Sequence, residues 1–243
     1  MFIFPMAGAS RRFAEAGYTL PKYKLQIGRM SVFEKAVCGF SSYFKSHPFL
    51  FIARNDDPDV EDFIKNQCAA MGVENPITVI LDQMTAGQAE TVEIGLKRSG
   101  YHQGGPISIF NIDTFRPSFS YPAKKWMHCS DGYLEVFEGS GANWSYVRPV
   151  SAHDSVPYAA ETAEKKPISN LCCTGLYHFA RAEYFLSALT VEKQNPSAKE
   201  LFVAPLYNHL IQDGKAIHYH LIRAQDVIFC GVPEEYEVLR SGS

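Results

Sequence analysis

The sequence predicts a mixed α/β fold: a doubly wound layer around a mostly parallel, mixed central sheet, joined to a small β-rich portion. Short continuous apolar runs recur at residues 2–4, 49–53, 77–81 and 107–112. Continuity, rather than alternation, marks strands buried on both faces, as in a parallel sheet. Segments of helical period lie between the runs, and a βαβαβαβ order with right-handed crossovers follows. From about residue 132 to 158 the chain changes character and becomes rich in aromatics, Gly and Ser.

In chain order, Val32, Phe33, Ala36, Val37, Phe40 and Phe44 keep helical spacing, and so do Val60, Phe63, Ile64, Cys68 and Met71. Ala89, Val92 and Leu96 set a third helix over 88–98. Residues 133–137, 144–149 and 171–180 read as strands, followed by helices near 182–189 and 203–213. Residues 216–222 read as a late strand in which His218 and His220 are expected to be partly exposed. A proline at its start opens a closing helix over 233–239. No repeat, low-complexity segment or linker divides the chain, so the expectation is a single domain. Residues 1–120 form its first part and residues 121–243 the second.

Composition narrows the function classes. The chain has 243 residues with 23 basic and 26 acidic side chains, a formal net charge of -3. That balance provides no electrostatic footprint for nucleic acid and no basic segment for an anionic membrane. Six scattered cysteines without a C-x-x-C pair read as reduced core thiols. No stretch has the length of a membrane span and the first residues lack a charged leader region, so a soluble, cytoplasmic protein is expected. Self-association as a homo-oligomer stays open.

In open α/β sheets ligands bind beyond the carboxyl ends of the strands. After the first apolar run comes Ala7-Gly8-Ala9-Ser10-Arg11-Arg12, then Pro21-Lys22. Small residues there let backbone N–H groups approach an anion, and Arg11, Arg12 and Lys22 could neutralise a polyphosphate. It is neither a Walker loop nor a G-x-G-x-x-G turn, and a plain loop with solvated arginines explains the residues as well. After the fourth run, Asp113 is a hard-oxygen candidate for a metal, or a turn cap. Gly87-Gln88 opens the third helix, where glycine would admit a flat ring and the amide could read a base edge. A helix N-terminus with a tight turn accounts for the same pair.

Taken together, M-A-G-A-S-R-R-F-A-E-A-G-Y-T-L-P-K, then T-A-G-Q-A, then Asp113 after a buried strand resemble the sugar-1-phosphate nucleotidyltransferases and related phosphocholine and small-metabolite cytidylyltransferases. Ala163-Glu164-Lys165, Thr174-Gly175-Leu176-Tyr177 and Gly231-Val232-Pro233-Glu234-Glu235 continue the likeness in the same order along nearly the whole chain. The resemblance implies a Rossmann-like α/β/α layer whose β-rich portion binds the acceptor. It implies that residues 7–12 form the nucleotide-binding loop, that Arg12 and Lys22 contact the reacting phosphates, and that Gly87 and Gln88 recognise the base. Asp113 becomes the Mg²⁺ ligand, and Glu164, Lys165 and Gly175 fall in the acceptor segment. Trp144 and Tyr146 could stack on a sugar face or cage a cationic head group, or could fill the core of a small sheet.

The resemblance further implies metal-assisted, in-line attack of a phosphorylated metabolite on the α-phosphorus of a nucleoside triphosphate, with release of pyrophosphate. The product would serve nucleotide-sugar and surface-polysaccharide synthesis. Two departures stand out. Ser10 replaces a second glycine usual in the family's loop, and Phe229-Cys230 precede Gly231 where many members carry a second metal-ligating aspartate. The second departure keeps a non-catalytic nucleotide-binding regulator in view. A glycosyltransferase would want D-x-D where this chain has Asn111-Ile112-Asp113.

Overall fold

The computed structural model describes residues 1–101, 104–151 and 155–242. Its strands and helices, in chain order, are β1 (Phe2–Pro5), α1 (Arg11–Glu15), β2 (Gln26–Ile27), β3 (Met30–Ser31), α2 (Val32–Cys38), β4 (Phe49–Arg54), α3 (Val60–Met71), β5 (Pro76–Leu81), α4 (Gln88–Arg98) and β6 (Ile107–Phe110). They continue as β7 (Thr114–Phe115), β8 (Gly132–Glu138), β9 (Ser145–Pro149), β10 (Ala159–Glu164), β11 (Leu171–Phe179), α5 (Ala182–Gln194), α6 (Leu206–Gln212), β12 (Ile217–Ile222), β13 (Ile228–Phe229) and α7 (Pro233–Ser241). This is the mixed α/β class that the apolar runs predict.

Two units share these elements. The N-terminal unit comprises Phe2–Met84, Phe110–Ser120 and Gln225–Ser243, and the central unit comprises Met1, Thr85–Ile109 and Tyr121–Ala224.

In the N-terminal unit β4 pairs in parallel with β1 on one side and β5 on the other, in register Phe2↔Phe49 and Phe49↔Pro76. Residues 49–53 are fully buried, as a strand covered on both faces must be. Phe2, Phe4, Phe33, Phe40, Phe49, Phe51, Phe110 and Phe119 build the core beside these strands, with ring centroids 4.8 Å apart for Phe40 and Phe119 and 5.4 Å for Phe4 and Phe51. Helix α2 starts at a capping box in which the Glu34 amide donates to Ser31 Oγ and the Ser31 amide donates back to Glu34. Parallel pairing puts the carboxyl ends of β1, β4 and β5 at one edge, where the loops that follow them gather.

In the central unit β11 pairs antiparallel with β8 and β9, β9 pairs with β10, and β8 pairs in parallel with β12. An isolated bridge between Tyr158 and His218 then brings the approach to β10 against β12. His218 departs from the sequence expectation: it is fully buried, stacked on Trp126 at 4.7 Å and tilted against Tyr158 at 4.5 Å. Its Nδ1 lies 2.8 Å from Ser130 Oγ, so the ring is a core residue, whereas His220 is half-buried. Strand β10 carried no apolar-run signal, because Ala159–Glu164 alternates small and charged residues.

Candidate active site

The loop after β1 is fixed by the Met6 amide, which donates to the Ile52 carbonyl at 2.8 Å. Ala7 is buried, Gly8 is exposed, and Ala9 and Ser10 are half-buried. Ser10 takes a left-handed conformation (φ 47°, ψ 35°), so this serine adopts the geometry that glycine favours. Its carbonyl accepts from the Phe13 and Ala14 amides at 2.9 and 3.1 Å and so starts α1. Arg11 and Arg12 are exposed while Phe13 points inward, with Tyr18 5.5 Å and Tyr236 of α7 6.1 Å from its ring. Tyr18 OH also donates to Glu237, which ties this segment to α7 a second time.

Lys22 opens a one-turn 3₁₀ helix over Lys22–Lys24. Its ammonium lies 2.5 Å from Asp113 Oδ2, with both side chains about four-fifths buried. Asp113 follows β6 in a turn where the Thr114 amide donates to the Asn111 carbonyl at 3.3 Å. The antiparallel β7–β13 pair (Ile228↔Phe115, Phe229↔Thr114) brings residues 230–235 to this carboxylate. The Cys230 amide donates to the Asp113 carbonyl at 2.8 Å, and a Cβ on Gly231 would lie 3.5 Å from Asp113 Oδ2. Cys230 itself is 1% exposed, and burial pushes its thiol up to about 12, with Asp113 adding to the shift. A neutral thiol therefore stands where a second carboxylate would be expected. Glu235 accepts from the Gly231 and Val232 amides at 2.8 and 3.3 Å, which commits it to the start of α7. Among the described residues no group of three or more His, Cys, Asp or Glu is arranged to hold a metal ion.

The central unit holds the other sequence-predicted residues. Gly87 precedes α4 at φ 156°, and a Cβ there would fall 2.5 Å from the Leu201 carbonyl oxygen. The Ala89 amide donates to that carbonyl at 2.9 Å, and the Leu201 amide donates to Ala86 at 3.0 Å. The space left by the glycine is thus filled by the Leu201 backbone, while Gln88 is half-buried as the first helical residue.

Glu164 ends β10 and is mostly buried; Ser145 Oγ donates to its carboxylate, and Ser145 Oγ and Tyr177 OH are 3.2 Å apart. Burial raises the Glu164 carboxyl above its ordinary range, against the lowering effect of Ser145 and Lys165. The Lys165 ammonium lies 3.9 Å from Glu164 and 4.6 Å above the Phe202 ring, on a backbone with φ 54°. Gly175, at φ 95°, lies where the β11–β8 register shifts between Cys173 and Tyr177, so it marks a bulge.

The aromatic pair expected at the acceptor divides. Tyr146 is fully buried with its hydroxyl bonded to the Gly141 carbonyl, so it presents no face to a ligand and serves packing. Trp144 is half-buried, edge-on to Phe137 at 5.2 Å, with Nε1 donating to the Ser140 carbonyl.

No protein-family model matches the chain, and no curated protein sequence matches it; the solved structures do. A nucleoside-diphosphate-sugar pyrophosphorylase from Vibrio cholerae RC9 is 47% identical, with a TM-score of 0.93 over 99% of this chain and 100% of that one. The chain belongs to the nucleoside-diphosphate-sugar pyrophosphorylase family, the sugar-phosphate nucleotidyltransferases.

More distant structures share the pyrophosphorylase fold. A UDP-glucose pyrophosphorylase complexed with UDP-glucose is 16% identical, with a TM-score of 0.78 over 99% of this chain and 97% of its own. The inositol-1-phosphate CTP transferase from T. maritima is 13% identical, with a TM-score of 0.71 over 99% and 94%. As a member of this family the chain is an enzyme of nucleotidyl transfer. Asp57, absent from the residues the sequence singles out, pairs with Lys24 at 2.6 Å. The signal was present, since Asp57 follows the buried β4 run much as Asp113 follows β6.

Proposed function

We propose that this pyrophosphorylase joins a nucleoside triphosphate to a sugar 1-phosphate, releasing pyrophosphate. The 47% identity over the full length with a nucleoside-diphosphate-sugar pyrophosphorylase is the observation that carries this reading. The Lys22–Asp113 pair supports it by supplying a cation and a hard carboxylate side by side.

In the proposed reaction an oxygen of the acceptor phosphate attacks the α-phosphorus in line, a new P–O bond forms, and the bond to the β-phosphate oxygen breaks. The departing pyrophosphate carries the electron pair. The acceptor phosphate is already ionised near neutrality, so no general base is needed and catalysis consists of positioning and charge neutralisation. Lys22 and Arg12 take the phosphates, and the loop Ala7 to Arg11 offers its backbone to them. Gln88 takes the base, on a turn that Gly87 keeps closed against the Leu201 backbone; Glu164, Lys165 and Gly175 take the acceptor, with Trp144 on its edge.

Mg²⁺ fits the residues present in one specific way. It commonly uses one or two carboxylates and fills its octahedron with substrate phosphates and water. Asp113 is one such carboxylate, whereas Cys230 is a neutral thiol and Glu235 is committed to α7. Asp113 would therefore hold the ion alone, and the ion, when bound, would neutralise charge developing on the phosphate oxygens.

Pyrophosphate release tests the proposal. The protein is incubated with Mg²⁺, each of the four nucleoside triphosphates, and a panel of sugar 1-phosphates beside other phosphorylated metabolites. Turnover restricted to sugar 1-phosphates is expected, and the productive triphosphate identifies the base. Turnover only with a non-sugar acceptor would overturn the acceptor class, and nucleotide binding without any turnover would overturn the reaction.

A further inference from the structure

We infer that Asp57 is a positioning residue for Lys22, holding in place the single turn of helix that carries it. The inference rests on the assignment of Lys22 to the phosphates and extends it to a residue outside the loops already named.

The turn cannot hold itself. It comprises three residues, closed by the Lys24 amide donating to the Pro21 carbonyl at 2.9 Å and the Leu25 amide donating to the Lys22 carbonyl at 3.1 Å. So short a 3₁₀ segment has little intrinsic stability and needs outside contacts. Asp57 supplies them from two successive side chains: Tyr23 OH donates to Oδ2 at 2.8 Å, and Lys24 Nζ donates to Oδ1 at 2.6 Å. Tyr23 is 5% exposed, and burial with the Asp57 hydrogen bond raises its hydroxyl well above the ordinary range, so it stays a donor. Phe63 of α3 backs both tethers, with the Lys24 ammonium 5.3 Å and the Tyr23 ring 5.9 Å from its ring centre.

Asp57 is itself fixed to the sheet. It stands three residues beyond the last residue of β4, and its carbonyl accepts from the Val60 amide at 3.1 Å as α3 begins. With residues 23 and 24 directed at Asp57, residue 22 is directed at Asp113. A lysine has a flexible four-carbon stem, so where its ammonium sits depends on where its backbone is held. Displacing a phosphate-contacting cation by about 1 Å can cost about 100-fold in rate.

A double-mutant cycle reads this directly. Pyrophosphate release is measured for wild type, Asp57→Ala, Lys22→Ala and the double variant, with thermal melts alongside. Asp57→Ala is expected to lower kcat by about 10- to 100-fold with the acceptor KM within about twofold. In the Lys22→Ala background the same change is expected to cost no more than about twofold, because its effect passes through Lys22. Asp57→Asn, which keeps an acceptor for Tyr23, should recover most of the rate. Tyr23→Phe keeps the Asp57–Lys24 pair and the buried ring, and runs through the same cycle if Asp57→Ala does not fold. An equal loss in both Lys22 backgrounds, or an unchanged kcat for Asp57→Ala, would overturn the positioning role alone. A fully active Lys22→Ala would instead overturn the Lys22 assignment, and the inference with it.

Discussion

The ammonium of Lys22 lies 2.5 Å from Asp113 Oδ2, so cation and carboxylate neutralise each other before a substrate arrives. The pair is bracketed by two rigid supports, the β7–β13 ladder on the Asp113 side and Asp57 on the Lys22 side. Asp113→Asn should therefore lower kcat for pyrophosphate release by about 100-fold or more, the scale of losing one preorganised electrostatic group. Its effect on stability should be moderate, about 1–3 kcal/mol, because the pair is about four-fifths buried and the lysine loses its charge partner while keeping an oxygen acceptor. Steady-state kinetics paired with a urea titration check both halves. Retained turnover would remove Asp113 from the reaction.

Ser10 accepts a left-handed backbone for which its side chain makes no capping hydrogen bond. An L-residue in that region costs about 1–2 kcal/mol relative to glycine. Ser10→Gly should consequently raise the unfolding free energy by about 1 kcal/mol, less the entropy glycine gains when unfolded. Because the backbone geometry is already that of glycine, nucleotide affinity should stay within about threefold of wild type. Chemical denaturation and nucleotide titration of the two proteins decide the matter.

Much of the N-terminal unit was legible because its signals are local. The continuous runs at 49–53 and 77–81 are the parallel strands β4 and β5, and helical spacing over residues 32–44 and 60–71 places α2 and α3, although α2 stops at Cys38 and Ser41–Tyr43 form a separate 3₁₀ turn. Ser10 as a departure from glycine was visible as well, although only the backbone shows that the serine takes the left-handed conformation that glycine favours. The central unit hid more, since Ala159–Glu164 has no apolar pattern and becomes a strand through pairing with β9. Tyr146 and Trp144, two residues apart, read as one aromatic surface, yet Trp144 stands just before β9 whereas Tyr146 lies within it and is packed into the sheet, so only Trp144 keeps an exposed part. His218 misled for a related reason. Alternation with His220 suggests a solvated face, but Trp126 and Tyr158, distant in sequence, close over it. Lys22, in the segment after the first loop, and Asp113, just past β6, were each legible as candidates, whereas neither their ion pair nor the tether from Asp57 to the turn follows from any spacing rule.

His178 gives the fold a pH dependence whose sign follows from burial. The ring is 7% exposed, its Nδ1 lies 2.9 Å from Ser108 Oγ, and burial drops its pKa from 6.5 to about 3. A depressed folded-state value means the unfolded chain binds the proton more readily. The stability from the neutral ring is therefore full above pH 6.5 and drains away as pH falls toward about 3. The loss can reach about 1.4 kcal/mol per pH unit within that window. His178→Gln should be less stable at pH 8 yet show a flatter decline between pH 6.5 and 4.5. Parallel slopes for the two proteins in denaturant titrations would show that His178 is not the titrating group.

Gly87 separates two uses of a missing side chain. The resemblance assigns this turn to base recognition, while in the fold the Leu201 backbone occupies the space a Cβ would need, 2.5 Å from the carbonyl oxygen and 2.6 Å from the amide nitrogen. Backbone atoms cannot swing aside as a flexible side chain can, so Gly87→Ala must push apart the contacts that the Ala89 and Leu201 amides make. Overpacking of this kind costs about 1–3 kcal/mol, and α4 would lose its fixed starting point. The urea midpoint of Gly87→Ala should fall accordingly even with no nucleotide present. If the glycine served only to admit a base, the midpoint without nucleotide would stay at the wild-type value and only nucleotide affinity would change.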